Sequence, residues 1–195
     1  KIILLKGPTA CGKTDHASKL VKNYPLEIIS VDSVMVYKGL DIGSAKPTSE
    51  ELKLCPHHLI DVCEPTENYS AGEFYQDVQR VMQSIIRKGK IPFLVGGTMM
   101  YFRVLEQGIS KLPSANPTVR NQIDSEAAAN GWAKLHQELQ RIDPTAAKKI
   151  DPSDKQRIQR ALEVHRITGK PISSFHGEHK QPIDYQRLNL SLVPS

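Results

Sequence analysis

The sequence predicts an α/β domain: a P-loop NTPase-like parallel sheet flanked by helices, with an all-helical insertion. Three observations carry this expectation. Short apolar runs alternate with helical stretches through residues 1–111, the pattern of βαβ units on a parallel sheet. The first run, Ile2 to Leu5, opens directly into a glycine-rich loop. From 112 to 170, Pro113, Pro117, Pro144 and Pro152 separate three helix candidates, and no convincing strand appears. The chain therefore divides into a core at 1–111, a helical insertion at 112–170, and a return to the core at 171–195. A length of 195 residues suits one α/β domain with a small insertion.

The elements follow in order. Ile2-Ile3-Leu4-Leu5 is continuously apolar, as a strand buried on both faces must be. Residues 14–23 can form a helix. Leu26 to Val31 is a second apolar run, ending at Asp32, and His58 to Val62 is a weaker third strand candidate. Ser70 and Glu73 stand at the N-cap and N3 positions of a capping box. Phe74, Val78, Val81, Met82, Ile85 and Ile86 then recur at helical spacing, and Gly89 supplies the stop. Ile91 to Val95 is another strand, followed by Gly96-Gly97-Thr98 and a further helix.

In the insertion, the first helix starts at Asn116-Pro117, with proline at its first position, and ends near Asn130-Gly131. The second carries Trp132, Leu135, Leu139 and Ile142 on one face, with Trp132 as packing. The third has Asp154 as N-cap and Gly169 as stop. Leu188 to Leu192 alternates strictly, the signal of a half-buried strand. A strand that has barely begun is an odd place for a chain to end, so the natural protein is expected to continue past Ser195.

Composition narrows the function classes. Apolar residues make up 39% and charged residues 24%, which argues against wholesale disorder. No apolar run approaches the roughly 18–20 residues of a membrane span, and a signal peptide is not expected. Cys11, Cys55 and Cys63 have no CxxC spacing, which suits a reducing compartment. A cytoplasmic, non-membrane monomer is expected. A net charge of +5 permits an anionic partner without demanding one.

Gly7-Pro8-Thr9-Ala10-Cys11-Gly12-Lys13-Thr14 fits G-x-x-x-x-G-K-[ST]. Its glycines let consecutive N–H groups point at one anion, and the following helix adds its positive N-terminal end. Lys13 supplies a mobile point charge, and the Thr14 hydroxyl is placed to bind Mg²⁺. Cys11 reads as a low-pKa thiol near a helix start or, more simply, as the filler of a small-residue slot. The motif predicts a diphosphate group and does not specify ATP.

Ligands of open α/β sheets bind outside the carboxyl ends of the strands, where this loop, Asp32 and Gly97-Thr98 all fall. Asp32 has three readings: a magnesium ligand, a general base, or a cap on the next turn. Thr98 by itself reads as an N-cap. His57 and His58 are adjacent and have no ligand cluster beside them, so a zinc site is not expected.

At this point the sequence resembles the tRNA dimethylallyltransferase family. The resemblance rests on the phosphate loop, on Asp32-Ser33 with Tyr37, and on Asp41-Ile42-Gly43-Ser44-Ala45-Lys46-Pro47. It extends through Pro56 to Asp61, Tyr69-Ser70-Ala71, Val95 to Thr98, and Gln156 to Glu163. It covers nearly the whole chain in order, and the block at 41–47 is far more specific than the phosphate loop. It implies transfer of a dimethylallyl group from dimethylallyl diphosphate to N6 of the tRNA adenosine 3′ of the anticodon. Mg²⁺ assists and no ATP is consumed. Cys11 and Ser44 stand where the family usually has serine and threonine. Asp151 stands where a histidine is common, and has no assigned role. The family also continues past this chain's end, with further arginines completing both sites.

The resemblance further implies that Asp32 accepts the proton of the adenine amine, with Thr98 also contacting the flipped base. Residues 7–14 hold the diphosphate, with Lys13 and Thr14-bound magnesium at the departing oxygens. Ser33, Val34 and Met35 are further tRNA-contacting positions, as are Arg120 and the segment Gln156, Arg157, Ile158, Gln159 and Arg160. On a helical wheel, Gln156, Arg157 and Arg160 oppose Ile158 and Leu162. Without the resemblance that polar trio is an ordinary solvated face; with it, the trio is an RNA contact for an anticodon loop. The rival readings are a P-loop small-molecule or nucleotide kinase and a non-catalytic RNA-binding module. The first does not need the basic insertion, and the second leaves the phosphate loop idle.

Overall fold

The computed structural model describes residues 1–9, 11–175 and 182–193. The chain forms two compact units, Lys1–Ile109 with Gln181–Ser195, and Ser110–Lys180. The 3₁₀ turn Ile172–Phe175 thus falls in the helical unit, although the sequence reading placed it in the return to the core.

In the α/β unit the elements run β1 (Ile2–Lys6), α1 (Lys13–Asn23), β2 (Leu26–Val31), α2 (Ser49–Leu54), β3 (His57–His58), α3 (Ala71–Arg87), β4 (Ile91–Gly96), α4 (Met99–Gln107) and β5 (Arg187–Ser191). The strands form one parallel sheet in the order β3-β2-β4-β1-β5. The chain leaves β1, lays down β2 and β3 further out, and returns to place β4 between β1 and β2. Three carboxyl ends, those of β1, β4 and β2, therefore stand side by side.

The apolar runs form strands because both faces are covered. Leu4, Ile28, Ile29, Phe93 and Leu94 are fully buried. The capping box at Ser70 and Glu73 is present, and α3 buries Phe74, Tyr75, Val78, Met82 and Ile85. Phe74 stacks on Tyr101 of α4 with ring centroids 4.0 Å apart. Each such buried side chain is worth roughly 1.5–3 kcal/mol relative to exposure, which fixes both helices on the sheet. Helix α2 was not anticipated, although its own capping box, Thr48 with Glu51, is a local signal.

Two expectations need correction. The third strand covers only His57 and His58, not His58 to Val62. Leu59 and Asp61 adopt left-handed backbone conformations, φ 63 and 55. These turn the chain so that Asp61, Val62 and Cys63 donate N–H groups to Met35 and Val36 rather than to the sheet. The alternating segment at 188–192 does pair with β1, but Leu188 and Leu190 are 53% and 37% exposed. Alternation signals one covered face; β5 is an edge strand, and among the described residues neither face is covered.

The helical unit contains α5 (Pro117–Asn130), α6 (Trp132–Ile142), α7 (Pro144–Ala147) and α8 (Lys155–Thr168). Its ends follow the sequence signals. Asn116 caps α5, Asp154 caps α8, and Gly169 closes α8 in the left-handed conformation. The short α7 was not expected; buried Asp143 caps it and also accepts the N–H of Ser173. Ile123, Leu135, Leu139, Ile158 and Leu162 form this unit's core, with Trp132 packed against it.

Candidate active site

The carboxyl edge of the sheet carries a cleft of about 410 Å³. At the β1 end it is lined by Thr9, Gly12, Lys13 and Thr14. Its floor is Ser30, Val95 and Gly96, and its far side is Asp32, Val34 and Met35. Gly43, Ser44, Ala45, Pro47 and His57 complete the wall. Strands lie ~4.8 Å apart, and three strand-to-strand steps separate β1 from β3. The cleft therefore crosses roughly 14 Å of sheet edge, with the phosphate loop at one end and the turn after β2 toward the other.

Two glycines make this edge possible. Gly12 sits at φ 79 immediately before α1, a left-handed conformation that lets the loop close on the helix N-terminus. Gly96 lies against β2 so closely that a Cβ there would stand 2.0 Å from the carbonyl oxygen of Val31. Lys13 Nζ donates to the Pro8 carbonyl and lies 3.6 Å from Cys11 Sγ. Cys11 is thus partly exposed within the loop, beside the Lys13 ammonium. Gly7, Pro8 and Cys11 are not among the lining residues, and Ala10 falls outside the described residues.

Asp32 caps its own turn: Oδ1 accepts the N–H groups of Val34 at 2.8 Å and Met35 at 3.1 Å. This does not exhaust the carboxylate. Oδ2 has no hydrogen-bond partner among the described residues, and the side chain lines the cleft. Thr98 occupies the N-cap position of α4 but makes no side-chain cap. Its hydroxyl instead accepts the Ser33 N–H at 3.1 Å and donates toward Ser33 Oγ at 3.4 Å. Thr98 therefore ties the Asp32 turn to β4 and is not a cleft-lining group. Burial, then the neighbouring Tyr37 and Asp32, push the Tyr101 phenol up to about 12, so it stays protonated beside the site. His57 Nδ1 lies 2.6 Å from the Cys55 carbonyl, and burial lowers its pKa, keeping the ring neutral on the cleft wall.

The basic helix α8 resolves into two kinds of residue. Gln156 and Arg157 are exposed, the Arg157 side chain by 71%, with Asp154 its ion-pair partner at 3.3 Å. Arg160 is held: it ion-pairs with Glu163, and its second nitrogen donates to the Pro113 carbonyl at 2.7 Å. Arg120 takes the same carboxylate in a two-pronged grip at 2.8 and 3.1 Å. Glu163 is fully buried and also accepts the Asn116 N–H. Burial alone would raise its pKa, but Arg120, the Asn116 N–H and Arg160 outweigh it and keep the carboxyl ionised. Gln159 donates to Asp124. Ile158 corrects the expected RNA-contacting segment: it is fully buried in the helical core and supports the face from behind. Asp151, without a role in the sequence reading, accepts from the Ser153 amide and hydroxyl in the turn before α8.

Residues 35–195 match the family model described as IPP transferase. The chain belongs to the IPP transferase family. A tRNA dimethylallyltransferase from Coxiella burnetii (strain Dugway 5J108-111) is 54% identical over 99% of this chain. One from Thioalkalivibrio sulfidiphilus (strain HL-EbGR7) is 53% identical over the same share. The chain spans 62% and 61% of the length of these two relatives. Among solved structures, a eukaryotic dimethylallyltransferase acting on tRNA superposes with a TM-score of 0.79 at 30% identity, covering 98% of this chain and 48% of that one. The tRNA isopentenylpyrophosphate transferase of Bacillus halodurans gives 0.55 at 39% identity, covering 88% and 57%.

Against this IPP transferase background, the residues that sequence reasoning missed are clear. Gly43, Ser44, Ala45 and Pro47 line the cleft, yet only the distinctiveness of the 41–47 block hinted at them. Glu163 was seen as part of a matching segment, without any sign that it gathers two arginines from different helices.

Proposed function

We propose that this chain carries the catalytic core of a tRNA dimethylallyltransferase. It would move a dimethylallyl group from dimethylallyl diphosphate to N6 of the tRNA adenosine 3′-adjacent to the anticodon. The observation that supports this best is the cleft itself, which has a phosphate loop at one end and, toward the other, a carboxylate oxygen with no hydrogen-bond partner among the described residues.

The chemistry follows from those two ends. The diphosphate sits against the loop amides and the N-terminus of α1, and Lys13 swings from the Pro8 carbonyl to its outer oxygens. The adenine amine is a weak nucleophile because its lone pair is delocalised into the ring. As the new C–N bond forms at the allylic carbon, the C–O bond to diphosphate breaks and its electron pair leaves with the diphosphate. The amine's proton passes to Asp32 Oδ2, the oxygen that the turn does not use. Lys13 and the loop N–H groups stabilise the leaving oxygens. Thr14 and Asp32 put hydroxyl and carboxylate oxygens, the hard donors Mg²⁺ takes, on one cleft. Held by Thr14 and the diphosphate, that ion would neutralise charge on the leaving group. RNA loops are read on splayed bases and backbone, and exposed Arg157 with partly exposed Arg120 and Arg160 suits that contact.

The test offers the full-length protein unmodified tRNA with either chain-labelled dimethylallyl diphosphate or γ-labelled ATP. Label from the diphosphate should reach adenosine N6, and ATP should act only as a competitor for the loop. Transfer of the γ-label to a small molecule would establish a kinase instead.

A further inference from the structure

Within the cleft wall between Asp41 and Pro47, apolar burial is confined to Pro47 at its end. Ile42 is fully exposed, and Gly43 and Ala45 stand at φ 76 and 54, the second disfavoured for a residue with a Cβ. The polar anchor of the segment before Pro47 is one cation. The Lys46 side chain is 4% exposed. Its ammonium donates to Asp41 Oδ1 at 2.7 Å, to Asp61 Oδ1 at 2.7 Å and to the Tyr37 carbonyl at 2.9 Å. Three N–H donors meet three acceptors, so the buried charge is fully satisfied. The acceptors converge on a point charge, a geometry that suits an ammonium and not a planar guanidinium.

The network does not stop at Lys46. The Asp61 N–H donates to the Met35 carbonyl at 3.1 Å. The Met35 N–H donates to Asp32 Oδ1 at 3.1 Å. An unbroken series of contacts thus runs from the 43–47 wall through Lys46, Asp61 and Met35 to the carboxylate facing the cleft. Lys46 itself is not among the residues lining the cleft, and its ammonium is taken up by Asp41, Asp61 and the Tyr37 carbonyl.

We infer that Lys46 is a positioning residue for the transfer, fixing the Asp32 carboxylate relative to the 43–47 wall through Asp61 and Met35. This rests on the prenyl-transfer reading above. Misplacement of a reacting group by about 1 Å can cost on the order of 100-fold in rate. Lys46→Met keeps the chain length and removes the charge. In the full-length protein it should lower turnover at saturating substrates by about 10- to 100-fold, with tRNA affinity unchanged.

A double-mutant cycle with Asp32→Asn separates positioning from mere stabilisation. If Lys46 acts through Asp32, Lys46→Met should cost little further turnover once Asp32 is Asn. Equal losses in both backgrounds, or wild-type turnover in a folded Lys46→Met protein, would overturn the inference. Should Lys46→Met fail to fold, Asp41→Ala runs the same cycle from the solvent end of the clamp, where Asp41 is 67% exposed. A wild-type protein that transfers no dimethylallyl group would sink the parent reading and this inference with it. Additive losses in an active protein sink this inference alone.

Discussion

At the carboxyl edge of the α/β unit, the candidate site groups are fixed by main chain. Asp32 is held by two backbone N–H groups, Thr98 by the Ser33 amide, and Gly96 by its approach to the Val31 carbonyl. In the helical unit, the arginines proposed to meet RNA are fixed by one another. Arg120 and Arg160 come from different helices and meet on a buried carboxylate that no strand end or loop supplies. The difference sets how each region fails. A cleft carboxylate can lose its charge and keep its shape, because an amide oxygen accepts the same N–H bonds. The arginine pair cannot lose its organiser without leaving two cations half-buried and unpaired.

The largest expected effect tests the first half of that contrast. Asp32→Asn retains Oδ1 as the acceptor for Val34 and Met35, so the melting temperature should not move. Turnover should fall by roughly 10²–10⁴-fold, the usual share of general-base catalysis, while diphosphate and tRNA binding persist. Single-turnover transfer beside a melting curve reads both; normal turnover would remove Asp32 from the chemistry. The second half is tested by Glu163→Ala, which should cost about 3–5 kcal/mol in denaturant unfolding, the scale for breaking a buried ion pair. A loss below about 0.5 kcal/mol would show that the arginines do not depend on it.

Arg160→Ala should cost less, about 1–3 kcal/mol, because Glu163 keeps Arg120 and the Asn116 amide. The sequence reading took Arg160 as an RNA contact whose loss should barely change stability; its grip on buried Glu163 adds a structural cost. Glu27 provides a graded effect at the opposite end of the sheet. Although burial works against it, hydrogen bonds from His58, Lys90 and Lys88 hold its carboxyl at about 2, against 4.5 unperturbed. A depressed folded-state pKa means the stabilisation is complete above about pH 4.5 and is lost as pH falls toward 2. The two lysines are about half exposed, so solvent screening limits the effect to roughly 1–2 kcal/mol. Unfolding midpoints of wild type and Glu27→Gln should converge across that window; a constant gap would contradict the pairing. Arg157→Ala is the smallest case, with stability within about ±0.5 kcal/mol. If Arg157 meets a phosphate, the slope of log tRNA affinity against log salt should fall by about one unit.

What was legible in the sequence was local. The phosphate loop, the caps at Ser70, Asn116 and Asp154, and the apolar runs of β1, β2 and β4 declare themselves within a few residues. What was not legible depends on distant partners. Thr98 looked like a cap because its partner, Ser33, lies 65 residues away. Lys46 reaches Asp61 across 15 residues, and Arg120 reaches Glu163 across 43. His58 to Val62 read as a strand because propensity does not reveal that Leu59 and Asp61 turn left-handed. The exposure of β5 was missed because alternation reports a face suited to burial and says nothing about what covers it.

The central claim is that diphosphate is held in the α/β cleft and RNA on the helical face, by groups that can be lost separately. The direct measurement is equilibrium binding of dimethylallyl diphosphate and of unmodified tRNA, each to full-length Lys13→Ala and Arg157→Ala. Lys13→Ala should weaken the diphosphate and leave tRNA affinity intact, and Arg157→Ala should do the reverse. Loss of diphosphate affinity in Arg157→Ala, or unchanged diphosphate affinity in Lys13→Ala, would contradict that assignment.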